Sequence, residues 1–298
     1  MAHTVPIKSL HDAGLNLLDG AIETLTSSQD DEAVHAVRKT TKRLRALLRL
    51  MQRCMGPLAY RRENGRVRDA AKPLTAVRDA FISQKSLRGM PKCPLALRRG
   101  LDAEYHRERN ALETQGARTA IAQFLAIRER LAELPASHSE VASAIAGVRK
   151  SYKAGRSARA QAKPRDDQAL HEWRKQAKYL LNQLELLRVV FNVEFKKLHR
   201  RADRLADILG TDHDLGVLLS KLRFYDANNR SFVKHLKKRR HRLQAQAFRL
   251  GKKLYRRPPK RFATALRASL GGAQRPNART GAARVSSTNS HSVVRDHH

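Results

Sequence analysis

Apolar residues recur along most of the chain with the three- to four-residue spacing of an amphipathic helix. The first run contains Leu10, Leu17, Ala21 and Leu25, and the next extends over residues 34–48. Strand-like alternation and Asn-Gly hairpin turns are scarce. Breaks that contain proline leave segments of about 20 to 30 residues, which suit antiparallel helices joined by short loops. The pattern therefore predicts an all-α fold.

Two of the helical segments are similar to each other. Residues 34–50 read VHAVRKTTKRLRALLRL, residues 170–186 read LHEWRKQAKYLLNQLEL, and seven of the seventeen positions are identical. Residues 70–81 (AAKPLTAVRDAF) align with 205–216 (LADILGTDHDLG) at nearly the same offset. We therefore predict an internal duplication of about 135 residues. Its first helical half covers residues 7–135 and its second 136–270, and the small, polar, aperiodic residues 271–298 form a disordered tail.

The first of the repeated segments carries an apolar and a basic face side by side. At 100° per residue, the apolar positions from Val34 to Leu48 fall within an arc of about 80°. A neighbouring arc of about 80° contains His35, Arg38, Lys42, Arg45 and Arg49. Like charges four residues apart destabilise a helix by about 0.2–0.5 kcal/mol per pair, so an anion that bridges them would relieve the repulsion.

The overall charge favours an acidic partner. The chain has 61 Lys and Arg against 27 Asp and Glu, a formal net charge of +34. Hydrophobic residues make up 41%, which is enough for a core and excludes a simple disordered basic tail. Two cysteines without a paired motif fit a reducing compartment. Since neither a long apolar run nor a secretory signal is present, we expect a cytoplasmic protein without a membrane partner.

The candidate phosphate-binding residues lie on four basic stripes. A solvated surface would explain the charge, but not why His-x-x-Arg-Lys-x-x-Lys recurs at the same register in both segments. Imidazole and guanidinium groups donate hydrogen bonds to phosphate, and lysine adds a mobile charge. The candidates are His35, Arg38, Lys39, Lys42, Arg45 and Arg49; His171, Arg174, Lys175 and Lys178; Lys197, Arg200, Arg201 and Arg204; and Lys234, Lys238 and His241.

The aspartates of the second repeated pair allow two interpretations. Thr211 to Asp214 resemble a capping box that follows a helix closed at Gly210, which favours a structural role. Alternatively, Asp79 and Asp214 pair with an Arg or His of the basic stripes. Trp173 aligns with an apolar position and is expected in the core. No nucleotide-loop, metalloprotease or nucleophile-elbow motif occurs, so we expect a protein without a cofactor, metal or catalytic activity.

At these residues the sequence resembles the CHAD family, the conserved histidine α-helical domain. The resemblance spans residues 7–270. It is most specific in the segments VHAVRKTTKRLRALLRL, LHEWRKQAKYLLNQLELL and LADILGTDHDLGVLL. The family implies two four-helix bundles related by a pseudo-twofold axis, a basic groove and inorganic polyphosphate binding, in some bacteria at polyphosphate granules. Its histidines fall at His35 and His171, and its basic partners at Arg38, Lys39, Lys42, Arg174, Lys175 and Lys178.

The sequence also departs from an even repeat. Leu181 and Glu185 replace Arg45 and Arg49, and Pro73 stands where the second half has Ile208. No ExExK signature of a triphosphatase domain is present. We therefore predict a stand-alone module that binds inorganic polyphosphate, with non-specific binding of nucleic acid as the alternative. Aromatic residues make up only 5%, which supplies few platforms for stacking bases and favours polyphosphate.

Overall fold

The chain is helical throughout the part that the structure describes. The computed structural model describes residues 9–88, 90, 92–134, 140–225, 227 and 229–273. Its helices are α1 (Leu10–Ser27), α2 (Asp31–Met55), α3 (Pro57–Ala70), α4 (Lys72–Ser86), α5 (Leu95–Ala111), a π-helical turn (Leu112–Gly116), α6 (Ala117–Ala132), α7 (Glu140–Gln161), α8 (Asp167–Phe191), α9 (Lys196–Phe224), α10 (Arg230–Leu254) and α11 (Pro259–Ala273). The prediction of an all-α fold is confirmed.

Local sequence explains where several of these helices begin. The side chains of Ser9, Asp30, Asp166 and Asn229 each accept a hydrogen bond from a backbone N–H of the first turn of α1, α2, α8 and α10. Prolines occupy the first turns of α3 and α4, where no N–H donor is needed. Pro73 lies in the first turn of α4, since α3 ends at Ala70 and α4 begins at Lys72.

One hydrophobic core extends across both predicted halves. In the first half, α2 packs against α1 and α3, and α6 against α1 and α3; in the second, α8 packs against α7 and α9, and α9 against α10. The two sets meet where α2 contacts α7 and α8. Leu47 of α2, Val148 of α7 and Leu184 of α8 belong to the same core and are almost completely buried. The duplication itself stays a prediction from the repeated sequence.

Close packing fixes the rotation of α8 about its axis. Trp173 is fully buried, as predicted, and its ring centroid lies 5.3 Å from that of Phe248 on α10. Gly251 makes this contact possible, since a Cβ there would lie 2.4 Å from Trp173 Cζ2. With Trp173 turned into the core, the basic positions of α8 face a cleft between α2, α4 and α9.

Helices of the two predicted halves also meet in a second, smaller core. Leu97 and Leu101 of α5 pack there with Leu218 and Leu222 of α9 and Leu236 of α10. None of the described helices combines the length and hydrophobicity that a membrane span requires. Helix α11 reaches Ala273, three residues into the predicted tail, and residues 274–298 lie outside the described part of the chain.

Candidate functional site: a central cleft

The repeated basic segments face each other across a cleft of about 640 Å³, which we call the central cleft. Four helices form its walls, and α2 and α8 contribute the predicted residues. Those that line it are His35, Arg38, Lys39 and Lys42 from α2 and His171, Arg174 and Lys178 from α8. The apolar faces of both helices are buried in the core, so the basic face of each is left to the cleft.

The two arginines at the centre of the cleft have donors that nothing in the described residues satisfies. Arg38 Nη2 lies 3.4 Å from Asp79 Oδ1, while its Nη1 is buried without a hydrogen-bond partner. Arg174 Nε is buried and lacks a partner in the same way. A buried unpaired donor costs about 1–3 kcal/mol. Desolvation lowers the pKa of both arginines, and nearby carboxylates, Asp79 and Asp214, oppose the shift. Both side chains line the cleft, so an anion in it would meet two guanidinium groups whose hydrogen-bonding capacity is not fully used.

The lysines of the cleft are held near like charges. Desolvation by the cleft walls, followed by repulsion from Arg38 and Lys178, lowers the pKa of Lys42 to about 7. Its side chain remains exposed to water at the cleft surface, where salt screens part of this repulsion. Desolvation and the charge of Arg174 also lower the pKa of Lys178. Lys42 is therefore close to losing its proton at neutral pH.

The three histidines of the cleft are neutral at pH 7. Desolvation lowers the pKa of His35 and His171, and the charges of Arg78 and Arg174 add to it. Desolvation and Arg174 lower the pKa of His213 to about 4. The rings of His171 and His213 lie with their centroids 4.9 Å apart. A neutral imidazole offers one donor and one acceptor, and a bound anion would raise its pKa.

Five carboxylates also line the cleft, which the sequence did not predict as a group. They are Asp79, Glu185, Asp203, Asp207 and Asp214. Burial raises the pKa of Asp214, although the charge of Arg174 opposes the rise. Glu185 accepts hydrogen bonds from Nε and Nη2 of Arg43 at 3.2 and 3.1 Å, a contact that joins α8 to α2. The cleft thus contains acidic as well as basic side chains.

The capping-box interpretation of Thr211 to Asp214 is wrong. Helix α9 runs without a break from Lys196 to Phe224, and Thr211 Oγ1 donates to the carbonyl of Asp207 within it. Gly210 does not end a helix. The 3.4 Å contact between Asp79 and Arg38 agrees instead with the alternative, in which these aspartates pair with the basic stripe.

A buried ion-pair network holds α9 in place behind the cleft. Arg240 of α10, 9% exposed, donates from Nε to Asp212 Oδ1 at 3.0 Å and from Nη1 to Asp167 Oδ2 at 3.3 Å. Gln244 donates to the same oxygen of Asp212 at 3.0 Å. Asp212 is adjacent to His213 in the chain, so this network fixes the part of α9 that supplies His213 and Asp214 to the cleft.

Ten of the predicted residues do not line the central cleft. Arg45 donates to Asn64 Oδ1 of α3 at 3.1 Å, and the guanidinium carbon of Arg49 lies 3.6 Å from the centroid of the Tyr179 ring of α8. Lys175 pairs with Glu172. Lys197 and Arg201 line a different cavity. The others are exposed on α9 and α10: Arg200, Arg204, Lys234, Lys238 and His241.

Two residues of the cleft were missed as ligands. Arg78 enters from α4 and His213 from α9. The sequence held a signal for both, because the alignment of residues 70–81 with 205–216 places Arg78 opposite His213. Across the described residues, no group of three or more His, Cys, Asp or Glu side chains is arranged to hold a metal ion.

Comparisons with known proteins give a family and a fold. A family model described as CHAD domain matches residues 12–223. The chain is also similar to a solved structure described as the crystal structure of the CHAD domain from the plant Ricinus communis, with a TM-score of 0.54 and 18% sequence identity. The similarity covers 91% of this chain and 95% of the plant chain. No curated protein matches the sequence.

Proposed function

The chain belongs to the CHAD domain family, and from this premise we propose that its central cleft binds inorganic polyphosphate. The observation that carries the proposal is the pair of arginines, Arg38 and Arg174, that line the cleft from the two repeated segments and each keep a donor without a partner. Unsatisfied buried donors are rare in native proteins, and a guanidinium group that lacks acceptors is well suited to phosphate oxygens.

The charge states of the neighbouring groups support an anion of high charge density. Desolvation, together with repulsion from like charges, lowers the pKa of Lys42 and Lys178 in the free protein. A chain of phosphates along the cleft would replace this repulsion by attraction. Neutral His35 and His171 can donate to phosphate oxygens without adding charge.

The lining favours polyphosphate over nucleic acid. No Phe, Tyr or Trp is among the described residues that line the central cleft, so it offers no aromatic platform on which a base could stack. Polyphosphate, which carries one negative charge on each unit and no bases, needs no such platform.

The decisive experiment is competition between long-chain polyphosphate and duplex DNA for the full-length protein in about 0.15 M salt. The cleft variant combines Arg38→Gln with Arg174→Gln, and the control combines Arg61→Gln with Arg223→Gln, which removes the same charge from exposed positions. Because a hydrogen bond to a charged group contributes about 1.5–3 kcal/mol, we expect the cleft variant to bind polyphosphate at least about tenfold more weakly than the control.

The proposal fails if DNA competes equally at matched phosphate concentration and the cleft variant binds like its control. A third variant, Lys234→Gln with Lys238→Gln, measures what the exposed stripe on α10 adds. Circular dichroism and thermal unfolding establish that each variant remains folded.

We further propose that the protein binds polyphosphate without breaking it down, in the cytoplasm and at polyphosphate granules. After prolonged incubation with the protein, the chain-length distribution on a gel should be unchanged and no orthophosphate should be released. In cells that accumulate polyphosphate, a fluorescent fusion should follow the granules, and the cleft variant should be diffuse. Shortened chains, or granule binding by the cleft variant, would contradict these two statements respectively.

A further inference from the structure

A second cavity, of about 680 Å³, lies between the start of α9, the end of α10 and α11. We call it the α9–α11 pocket. Its apolar wall contains Phe195, Leu198, Leu254, Phe262 and Leu266, and its basic rim contains Lys197, Arg201, Lys253, Arg256 and Arg257. It shares no residue with the central cleft. Its volume lies in the range of about 300–1,000 Å³ that is typical of small-molecule sites.

The apolar wall is firmly packed. Phe262 stacks on the buried ring of Tyr152, with centroids 3.9 Å apart and an interplanar angle of 5°. Leu254 and Leu266 are 4% and 2% exposed. Phe195, by contrast, is only partly covered, so that part of its surface remains open in the pocket. The wall is therefore a fixed apolar surface with one accessible aromatic ring.

Hydrogen bonds hold the backbone of the basic rim in place, and the positive charges of the rim are not neutralised by carboxylates of the described residues. Arg156 Nη1 donates to the carbonyls of Tyr255 and Arg257 at 2.9 and 3.0 Å, which fixes the connection between α10 and α11. None of the five rim cations forms an ion pair with another described residue. Glu194, the one carboxylate among the described lining residues, lies 3.0 Å from Lys196 Nζ and is already paired.

We propose that the α9–α11 pocket binds a nucleotide, with its base against the apolar wall at Phe195 and its phosphates on the basic rim. An inorganic phosphate chain would use the rim but gain nothing from the wall. A purely apolar ligand would use the wall and leave five cations without a counter-charge. A ring joined to phosphates satisfies both parts, because bases stack on aromatic side chains and phosphates pair with Lys and Arg.

The test is calorimetric titration of the full-length protein with ATP, tripolyphosphate and adenosine in about 0.15 M salt. The titrations are made on the unmodified protein and on the cleft variant, Arg38→Gln with Arg174→Gln, which weakens binding at the central cleft. Since stacking contributes about 1–3 kcal/mol per base, ATP should bind the cleft variant about tenfold more tightly than tripolyphosphate does. Adenosine, which lacks phosphates, should bind more weakly than ATP.

Two pocket variants locate the site. Lys253→Gln with Arg257→Gln removes two exposed cations and should weaken ATP binding about fivefold. Ser269→Phe fills the pocket from an exposed position of α11 and should abolish ATP binding, whereas Ala268→Phe, on the same helix but outside the lining, should not. The affinity of the central cleft for polyphosphate should be unchanged in Ser269→Phe.

Three results would overturn the proposal. Equal affinities for ATP and tripolyphosphate would mean that the apolar wall takes no part. Loss of ATP binding in the cleft variant would place ATP in the central cleft. Unchanged ATP binding in Ser269→Phe would place it elsewhere on the surface.

Discussion

Single residues of the central cleft carry positive charges whose mutual repulsion is only partly relieved by carboxylates in the free protein. Lys42 faces Arg38 on its own helix and Lys178 and Arg174 on α8, while Asp79 on α4 is the acidic group that opposes them. The balance of these charges, more than the number of cations, determines how strongly the cleft attracts an anion. This balance can be tested by replacing individual basic or acidic residues of the cleft.

Polyphosphate affinity should fall as the pH rises above about 7, which is the pKa of Lys42 in the free protein. Below this pH Lys42 already carries its proton; above it, the free protein has lost the proton, whereas the bound phosphates raise the pKa and restore it. Binding is therefore coupled to proton uptake. Dissociation constants measured between about pH 6 and 9 should show this trend, and Lys42→Gln should flatten it. A slope unaffected by Lys42→Gln would assign the trend to other groups.

Asp79→Asn should strengthen polyanion binding several-fold. Asp79 lies 3.4 Å from Arg38 and must give up part of this pairing when phosphate binds. Asp69→Asn is the matched control, because Asp69 loses the same charge but pairs with Arg68 and Lys72 on the surface. Fluorescence titrations with polyphosphate would compare the two. Equal effects of both variants would show that only net charge matters.

At the scale of single residues, the repeated motif predicted seven of the nineteen described residues that line the cleft. His35, Arg38, Lys42 and their counterparts on α8 could be placed because the apolar period of one helix fixes which residues share its other face. Asp203 and Asp207 of α9 could not be placed in this way. Their membership depends on which helices stand opposite α2, and no pattern within a single helix contains that information.

Among the helices, α9 shows how tertiary packing outweighs a local stop signal. Gly210 costs about 0.5–1 kcal/mol within a helix. Leu205, Leu209 and Leu215, on either side of it, are each at most 2% exposed, and burial of such a side chain contributes about 1.5–3 kcal/mol. The helix therefore continues through the glycine. A sequence pattern that weighs only local preferences predicts a break there.

Arg240→Met should destabilise the protein by about 3–5 kcal/mol. The substitution leaves Asp212, 2% exposed, as a buried charge without its guanidinium partner. Arg239→Met, at the neighbouring exposed position, should change the free energy of unfolding by no more than about 0.5 kcal/mol. Urea unfolding of both variants measures the difference. A similar, small effect in each would mean that the network contributes little to stability.

Two glycine-to-alanine substitutions should change stability in opposite directions. A Cβ at Gly147 of α7 would lie 2.6 Å from the carbonyl oxygen of Arg49 and 2.9 Å from Leu50 Cα, so α2 and α7 must separate, at a cost of about 1–3 kcal/mol. At Gly20, in the middle of α1, nothing lies within 4 Å, and alanine should stabilise by about 0.5–1 kcal/mol. Thermal unfolding of both variants would measure the loss of stability in one and the gain in the other. A stable Gly147→Ala protein would contradict the close α2–α7 contact.

On the scale of the whole molecule, the net charge of +34 opposes compactness and attracts polyanions over long distances. Sequence alone predicted the net charge and the helical fold. The charge is a sum over all residues, and the helices follow from the periodic spacing of apolar positions. The sequence did not predict that ten of the seventeen candidate cations and histidines would lie outside the cleft, since their helix faces meet α3, other cavities or solvent. The arrangement of the helices separates the cleft residues from the general positive surface.

Polyphosphate binding should weaken steeply with salt, and the slope should report the cleft contacts. In a plot of the logarithm of the binding constant against that of the salt concentration, each phosphate contact contributes about 0.7 to the slope for a single strand. Lys42→Gln with Lys178→Gln should therefore reduce the slope by about 1.4. Lys163→Gln with Lys260→Gln, at exposed positions outside both cavities, should leave it unchanged. Equal reductions would indicate diffuse attraction.

The core that α2 shares with α7 and α8 has a consequence for the kinetics of binding. Both cationic walls of the cleft rest on the same packed interior, so they cannot move apart or close without disrupting buried contacts such as those of Leu47 and Leu184. The site is preorganised, and little conformational entropy is lost when a ligand enters. Association should then be limited by diffusion and electrostatic steering, and differences in affinity among ligands should arise mainly from how fast each one leaves.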